Sequence, residues 1–178
     1  SGLTAVKAVM EAKNKFGKVY GLVATLGDVY EAYRLALEVA AASHLTSIVV
    51  ENEEVARLAI NYLRDNRFGV ATFLPLNKIQ PRQDYGNTGA LLTESGVLGK
   101  AIDLVRYDAK FDAIFSMIFG DTIVVKDLKV AERLGIGRAR MVTLDGDLVE
   151  KRGIMRGGFR NRRNNIGFSS KLALADED

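Results

Sequence analysis

The chain contains no cysteine and a single histidine in 178 residues. Without cysteine there is no disulfide framework, no thiol nucleophile and no zinc ribbon. With only His44 available, a multi-histidine metal site is excluded and a histidine relay has no second member. No stretch approaches the roughly 18 apolar residues a membrane helix needs, and no apolar segment precedes a small-residue cleavage site, so a cytoplasmic location is expected. The acidic residues are scattered, mostly at candidate helix starts, and no nucleophile, base and orienting group assemble. At 48% apolar and 26% charged residues the composition is that of a folded domain, and the length suits one domain or two small lobes sharing a core. The opening Ser1-Gly2, with no initiator methionine, is expected to begin a fragment of a longer chain.

Charge is unevenly placed. Lys151, Arg152, Arg156, Arg160, Arg162, Arg163 and Lys171 fall in a stretch without a single Asp or Glu, and the tail closes with Asp176-Glu177-Asp178. Residues 151–178 therefore carry +4 against a net +3, and the preceding 150 residues carry −1. Clustered positive charge of this kind suits a polyanion backbone. Asn161, Asn164 and Asn165 add phosphate-capable donors, while Phe159 and Phe168 are the only stacking candidates, so the segment favours backbone contact over base reading. A solvated exit segment is the plain alternative.

Periodicity predicts an opening helix through Leu3, Val6 and Met10 that stops at Gly17. A strand follows over Val19–Val23, then a helix capped by Asp28 with Val29, Tyr33, Ala36, Leu37 and Ala40 on one face. Ser47–Val50 reads as a buried strand, Asn52 as the cap of a helix through Val55, Ala59 and Tyr62, and Val70–Leu74 as a third strand. Alternation of this kind favours parallel pairing. Pro75–Gly99 reads as an irregular connector. The pattern then resumes with a strand at Ile102–Val105, a helix from Asp108, a strand at Thr122–Val125 and a short helix capped by Asp127. A hairpin turning at Asp145-Gly146 closes it. Two halves of similar outline, about 19–74 and 102–144, suggest two similar lobes.

Apparent nucleotide motifs fail on inspection. Gly99-Lys100 would need a glycine at Glu94 and a hydroxyl at Ala101 to form a phosphate-binding loop. Gly135-Ile136-Gly137 meets Arg140 where a dinucleotide fold needs its third glycine. His44 is expected to be a structural cation at a helix end. The set Gly153, Ile154, Met155, Gly157 and Gly158 is different: glycines around an apolar pair suit an edge strand on which a second backbone lies closely. Larger residues at Gly157 and Gly158 would then stand where that backbone passes. An ordinary loop leaving the domain is the alternative.

Gly21-Leu22-Val23-Ala24-Thr25-Leu26-Gly27-Asp28 resembles the opening of the hinge domain of structural maintenance of chromosomes (SMC) proteins. So do Val70–Leu76, Thr122–Val125 with the helix after it, Met141–Gly146 and the closing Gly153…Gly157-Gly158, in the right order from about residue 19 to 160. The resemblance, to the prokaryotic type, implies a mixed α+β fold of two similar α/β lobes, about 19–85 and 100–160, in a toroidal homodimer. Residues 1–18 and 167–178 would be stubs of an antiparallel coiled coil flanking a hinge domain at 19–166. The implied role is homodimerisation of a chromosome-organising ATPase, with Gly153, Ile154, Met155, Gly157 and Gly158 at the interface. Lys151, Arg152, Arg156, Arg160, Arg162 and Arg163 would contact DNA. No cofactor is expected in this chain, ATP and Mg belonging to a head region elsewhere, and the setting would be the cytoplasmic nucleoid. Two rival readings stand beside it. One is a small-molecule-binding or catalytic α/β domain using the Pro75–Gly99 connector as a mobile loop. The other is a standalone nucleic-acid-binding protein with both chain ends packed on its body.

Overall fold

A computed structural model describes residues 2–82, 88–160 and 166–172. The chain runs α1 (Gly2–Glu11), β1 (Val19–Leu22), α2 (Val23–Leu26), β2 (Asp28–Tyr30), α3 (Glu31–Ala41), β3 (Ile48–Val50), α4 (Glu53–Asp65) and β4 (Phe73–Pro75). It continues with β5 (Val97–Lys100), β6 (Val105–Arg106), α5 (Asp112–Phe119), β7 (Ile123–Val125), α6 (Leu128–Leu134), β8 (Met141–Thr143), β9 (Leu148–Val149), β10 (Met155–Arg156) and β11 (Ser169–Leu172).

The two halves repeat one plan. In the first lobe β3 pairs antiparallel with β1 and parallel with β4; in the second, β7 pairs antiparallel with β5 and parallel with β8. Both central strands read Ile-Val-Val, and both outer pairings shift register at a glycine, Gly21 or Gly99. Asn52 and Asp127 cap α4 and α6 in the same way, accepting from Val55 N at 3.0 Å and Val130 N at 2.9 Å. Even single main-chain bonds recur: Val23 N to Ser47 O corresponds to Ala101 N to Thr122 O. The second lobe extends the plan by the β9–β10 hairpin, giving a five-stranded sheet in the order β10-β9-β8-β7-β5. A small third sheet, β11-β2-β6, joins the lobes.

Strand alternation sorts the core into three parts. Val49 and Val124 point into a core shared by both lobes with Leu37, Phe115 and Phe119. Ile48 and Val50 face the opposite way, onto α4 and the Ala5, Val6 and Val9 face of α1. Ile123 and Val125 face α6. The sheets are thus back to back across α3 and α5, and each lobe adds a smaller interior of its own to the one they share.

Several local expectations change. Asp28 caps nothing: it begins β2, which is held between β6 and β11, so α3 starts only at Glu31. β1 runs antiparallel to β3, not parallel. Val70 is 85% exposed and the strand begins at Phe73. Residues Ala101–Leu104 form a 3₁₀ turn, while β5 lies inside the supposed connector because it pairs with β7. The same β5 holds Gly99-Lys100, so no phosphate loop exists there. The Asp145-Gly146 turn is a three-residue loop rather than a two-residue one, closed between Thr143 and Asp147 with Gly146 at φ +86°. Over its described part, the expected C-terminal coiled-coil stub at 167–178 is not helical: Ser169–Leu172 is β11, parallel to β2, with Phe168 buried. Sheet pairing prevails over helical spacing here, since β2 offers this segment a ladder.

The repeat exposes a strained position. After α3 the exposed Ala42 sits at φ 56°, ψ −134°, and the matching position after α5 is Gly120 at φ 54°, ψ −128°. A side chain there is strained by about 1–3 kcal/mol. Ala42→Gly should therefore raise stability in urea unfolding by about 1 kcal/mol once glycine's unfolded-state entropy is counted; a decrease would contradict the strain. His44, whose Nδ1 lies 3.1 Å from Ser47 Oγ, has its pKa lowered by burial and then by Arg82. Its surroundings disfavour the charged form, against the expectation of a cation at the helix end, and its ring faces Ser47. Because the folded value lies below the ordinary 6.5, protonation favours the unfolded chain, so stability should fall as pH drops through and below 6.5. His44→Gln should lessen that fall in pH-dependent melting; an unchanged pH profile would count against it.

Candidate functional site

The β9–β10 hairpin carries most of the residues singled out by the sequence. Glu150 N donates to Ile154 O at 2.8 Å and Gly153 N to Glu150 O at 2.9 Å, closing its turn. With Ile154 paired to Glu150, antiparallel alternation directs the N–H and C=O of Met155 away from β9. β10 is the last strand of its sheet, so these groups face an open edge. Ile154 is 63% exposed, Met155 48% and Phe159 97%.

The glycines divide by role. A Cβ on Gly157 would collide with the Asp147 carboxylate of the same chain, so the missing bulk admits an intrachain carboxylate rather than a second backbone. That carboxylate accepts from Gly158 N at 3.3 Å and from the Thr143 hydroxyl at 3.2 Å, fixing the end of β10. Gly158, at φ +135°, and Gly153, at φ +93°, have nothing within 4 Å of an added Cβ. Their surroundings are open, and their requirement for glycine is conformational.

A second open edge lies in the first lobe, away from every residue proposed from the sequence for the interface or for DNA contact. β4 ends the first-lobe sheet. Thr72 O and Leu76 N bond to β3, so by alternation the main chain of Phe73 faces outward. Pro75, which has no N–H to offer, is a residue that edge strands accommodate, and it is the one sequence signal for this edge. Lobe symmetry explains the gap: β4 matches β8, whose outer side is covered by β9, and the first lobe has no equivalent of β9. Val70, beside β4, together with Ile154, Met155 and Phe159, beside β10, are the four most exposed large apolar residues among those described.

The basic residues do not form one free cluster. Lys151 Nζ is 3.2 Å from Asp121 Oδ2, and Arg160 Nε donates to Gly146 O at 3.2 Å. Arg152 and Arg156 are exposed on the hairpin, while Arg162 and Arg163 lie outside the described residues. Arg156, Phe159 and Arg160 line a groove of about 950 Å³ with Arg34, Glu38 and Ile166. Glu38 accepts from Phe168 N at 3.0 Å and so holds the returning chain against α3. Among the described residues no three of His, Cys, Asp and Glu are grouped so as to hold a metal, and no helix is long and apolar enough to cross a membrane.

Comparison with known proteins matches residues 16–135 to the family model described as the SMC proteins flexible hinge domain. The chromosome partition protein Smc of Gloeobacter violaceus is 45% identical over 152 residues, covering 85% of this chain and 13% of that protein. The Bacillus subtilis protein of the same name is 37% identical over 94% of this chain and 15% of its own length. The chain thus spans about one seventh of these relatives. Among solved structures, an asymmetric dimer of the Geobacillus stearothermophilus SMC hinge domain superposes with a TM-score of 0.83 at 37% identity, covering 89% of this chain and 66% of that one. The Pyrococcus furiosus SMC hinge domain gives 0.70 at 36% identity, covering 97% and 96%. With the family model matched over residues 16–135 and relatives up to 45% identical over most of its length, the chain belongs to the SMC flexible hinge domain family.

Proposed function

We propose that this hinge domain is a homodimerisation module in which β10 of one copy pairs with β4 of the other. One observation carries the reading: β4 and β10 each end a sheet, one in each lobe, and the most exposed large apolar residues among those described flank these two edges. A two-fold axis brings β10 to β4 twice, so each edge is used once and the assembly closes. Two contacts held apart by the body of each lobe leave a central opening, which makes the dimer a ring. Ile154 and Met155 would bury against the Val70–Phe73 segment, while Gly153 and Gly158 shape the hairpin ends. In a longer SMC chain such a dimer joins two coiled-coil arms in a chromosome-organising ATPase of the cytoplasmic nucleoid. The domain would do no chemistry and bind no cofactor itself.

A contact with DNA is part of the proposal. Arg156 and Arg160 line one groove with the exposed Phe159, Arg152 is exposed at the hairpin turn, and Arg162 and Arg163 follow in sequence. Lys151 contributes less, its ammonium being engaged by Asp121. Binding would be electrostatic and salt-sensitive.

Met155→Pro removes an N–H that has no partner among the described residues and should convert the dimer to a monomer with unchanged far-ultraviolet dichroism. Sedimentation is the check: a variant still dimeric at the wild-type affinity, or a wild type monomeric at micromolar concentration, overturns the reading. Neutralising Arg156 and Arg160 together should leave the dimer intact and flatten the slope of log affinity for DNA against log salt by roughly 0.7–0.9 for each phosphate no longer neutralised. An unaltered slope would remove these two residues from the DNA interface.

A further inference from the structure

We infer that Arg140 is a positioning residue that couples the interface hairpin to the first lobe and so sets the geometry in which the ring closes. The inference rests on the dimerisation reading. Arg140 lies just before β8 and makes three directional bonds to three parts of the molecule. Its Nε donates to Glu150 Oε1 at 2.8 Å, its Nη1 to Thr122 Oγ1 at 3.0 Å and its Nη2 to Ala40 O at 3.1 Å. Ala40 belongs to the last turn of α3 in the first lobe, where the helix carbonyls favour a cation. Thr122 is buried just before β7. Glu150 is the residue whose main chain closes the β9–β10 turn on both sides, through Ile154 O and Gly153 N. One planar guanidinium therefore ties α3, β7 and the hairpin together, a task suited to its fixed fork of donors.

The hairpin needs such a tie because its own ladder is short. β10 is two residues long and both are exposed, so little packing holds it in place. Its far end is fixed within the second lobe by Asp147 and Gly158. The Arg140–Glu150 bond is a directional side-chain route from its near end to the first lobe, beside the packing of Leu148 on the shared core. Closing the ring requires β4 and β10 to be presented at one fixed mutual position, because both edge pairings must form together. A hairpin that drifts relative to α3 forfeits the second pairing even when the first can form.

Glu150→Ala separates this role from plain stability, since it frees the hairpin while leaving the Arg140 bonds to Thr122 and Ala40. Dimer dissociation should be measured by sedimentation for the wild type, Arg140→Met and Glu150→Ala, with hydrogen exchange on each. We expect both variants to raise the dissociation constant about tenfold or more, the loss of a charge-assisted bond behind each of two edge pairings. Exchange should quicken at Gly153 and at the Glu150 amide, with β3 and β7 amides unchanged. Arg140→Lys should restore little of the affinity, because an ammonium cannot span the three acceptors. If Arg140→Met fails to fold, Glu150→Ala carries the test alone. Dimer affinity within twofold of wild type in Glu150→Ala overturns the coupling, whereas a monomeric wild type overturns the dimerisation reading beneath it.

Discussion

Everything in this domain hangs on the core the two lobes share. Val49 and Val124, one from each central strand, point into the same interior with Leu37, Phe115 and Phe119. Because α3 and α5 pack across that interior, the two sheets cannot move independently without opening a close-packed region. The consequence is geometric. Each lobe ends its sheet on one side in a strand flanked by exposed apolar residues, β4 or β10, and the shared core fixes the distance and angle between them. A body with two edges in fixed relation is able to form a closed pair with its copy, and a flexible one would instead chain or fail to associate.

The hairpin shows how little material such an edge needs. Its ladder is two residues, too short to be stable in isolation, and it is held by side chains at both ends. Asp147 grips Gly158 N beneath Gly157, which must be glycine for the carboxylate to fit. Arg140 reaches Glu150 from the other side. This leaves the outward N–H and C=O of Met155 without a partner among the described residues. Unused main-chain groups beside exposed Ile154 and Met155 are what an edge strand presents when it is meant to be covered.

Much of this is legible in the residues. Asn52 and Asp127 announce their helices, the twin Ile-Val-Val strands announce the lobes, and the glycine-flanked Ile154-Met155 pair points to the hairpin. What local sequence does not convey is pairing between distant segments. Asp28 looks like a cap until β6 and β11 flank it, and Phe168–Leu172 has helical spacing until β2 offers it a ladder. Gly157 looks like room for a partner until Asp147 occupies that room. Arg140 gives no sign of its role, because its three acceptors lie 10, 18 and 100 residues away. Of the basic run, Arg152 and Arg156 are exposed, but the pairing of Lys151 with Asp121 depends on a strand crossing that no charge count shows.

The central claim is that the outer faces of β4 and β10 meet across two copies. Hydrogen exchange of the Phe73 and Met155 amides as a function of protein concentration tests it most directly, because neither amide has an acceptor within its own sheet. Both should be protected where the chain is dimeric and should become unprotected together on dilution to the monomer. If Met155 and Phe73 exchanged at open-peptide rates in a fully dimeric sample, the two copies would be joined elsewhere and the β4–β10 pairing would be wrong.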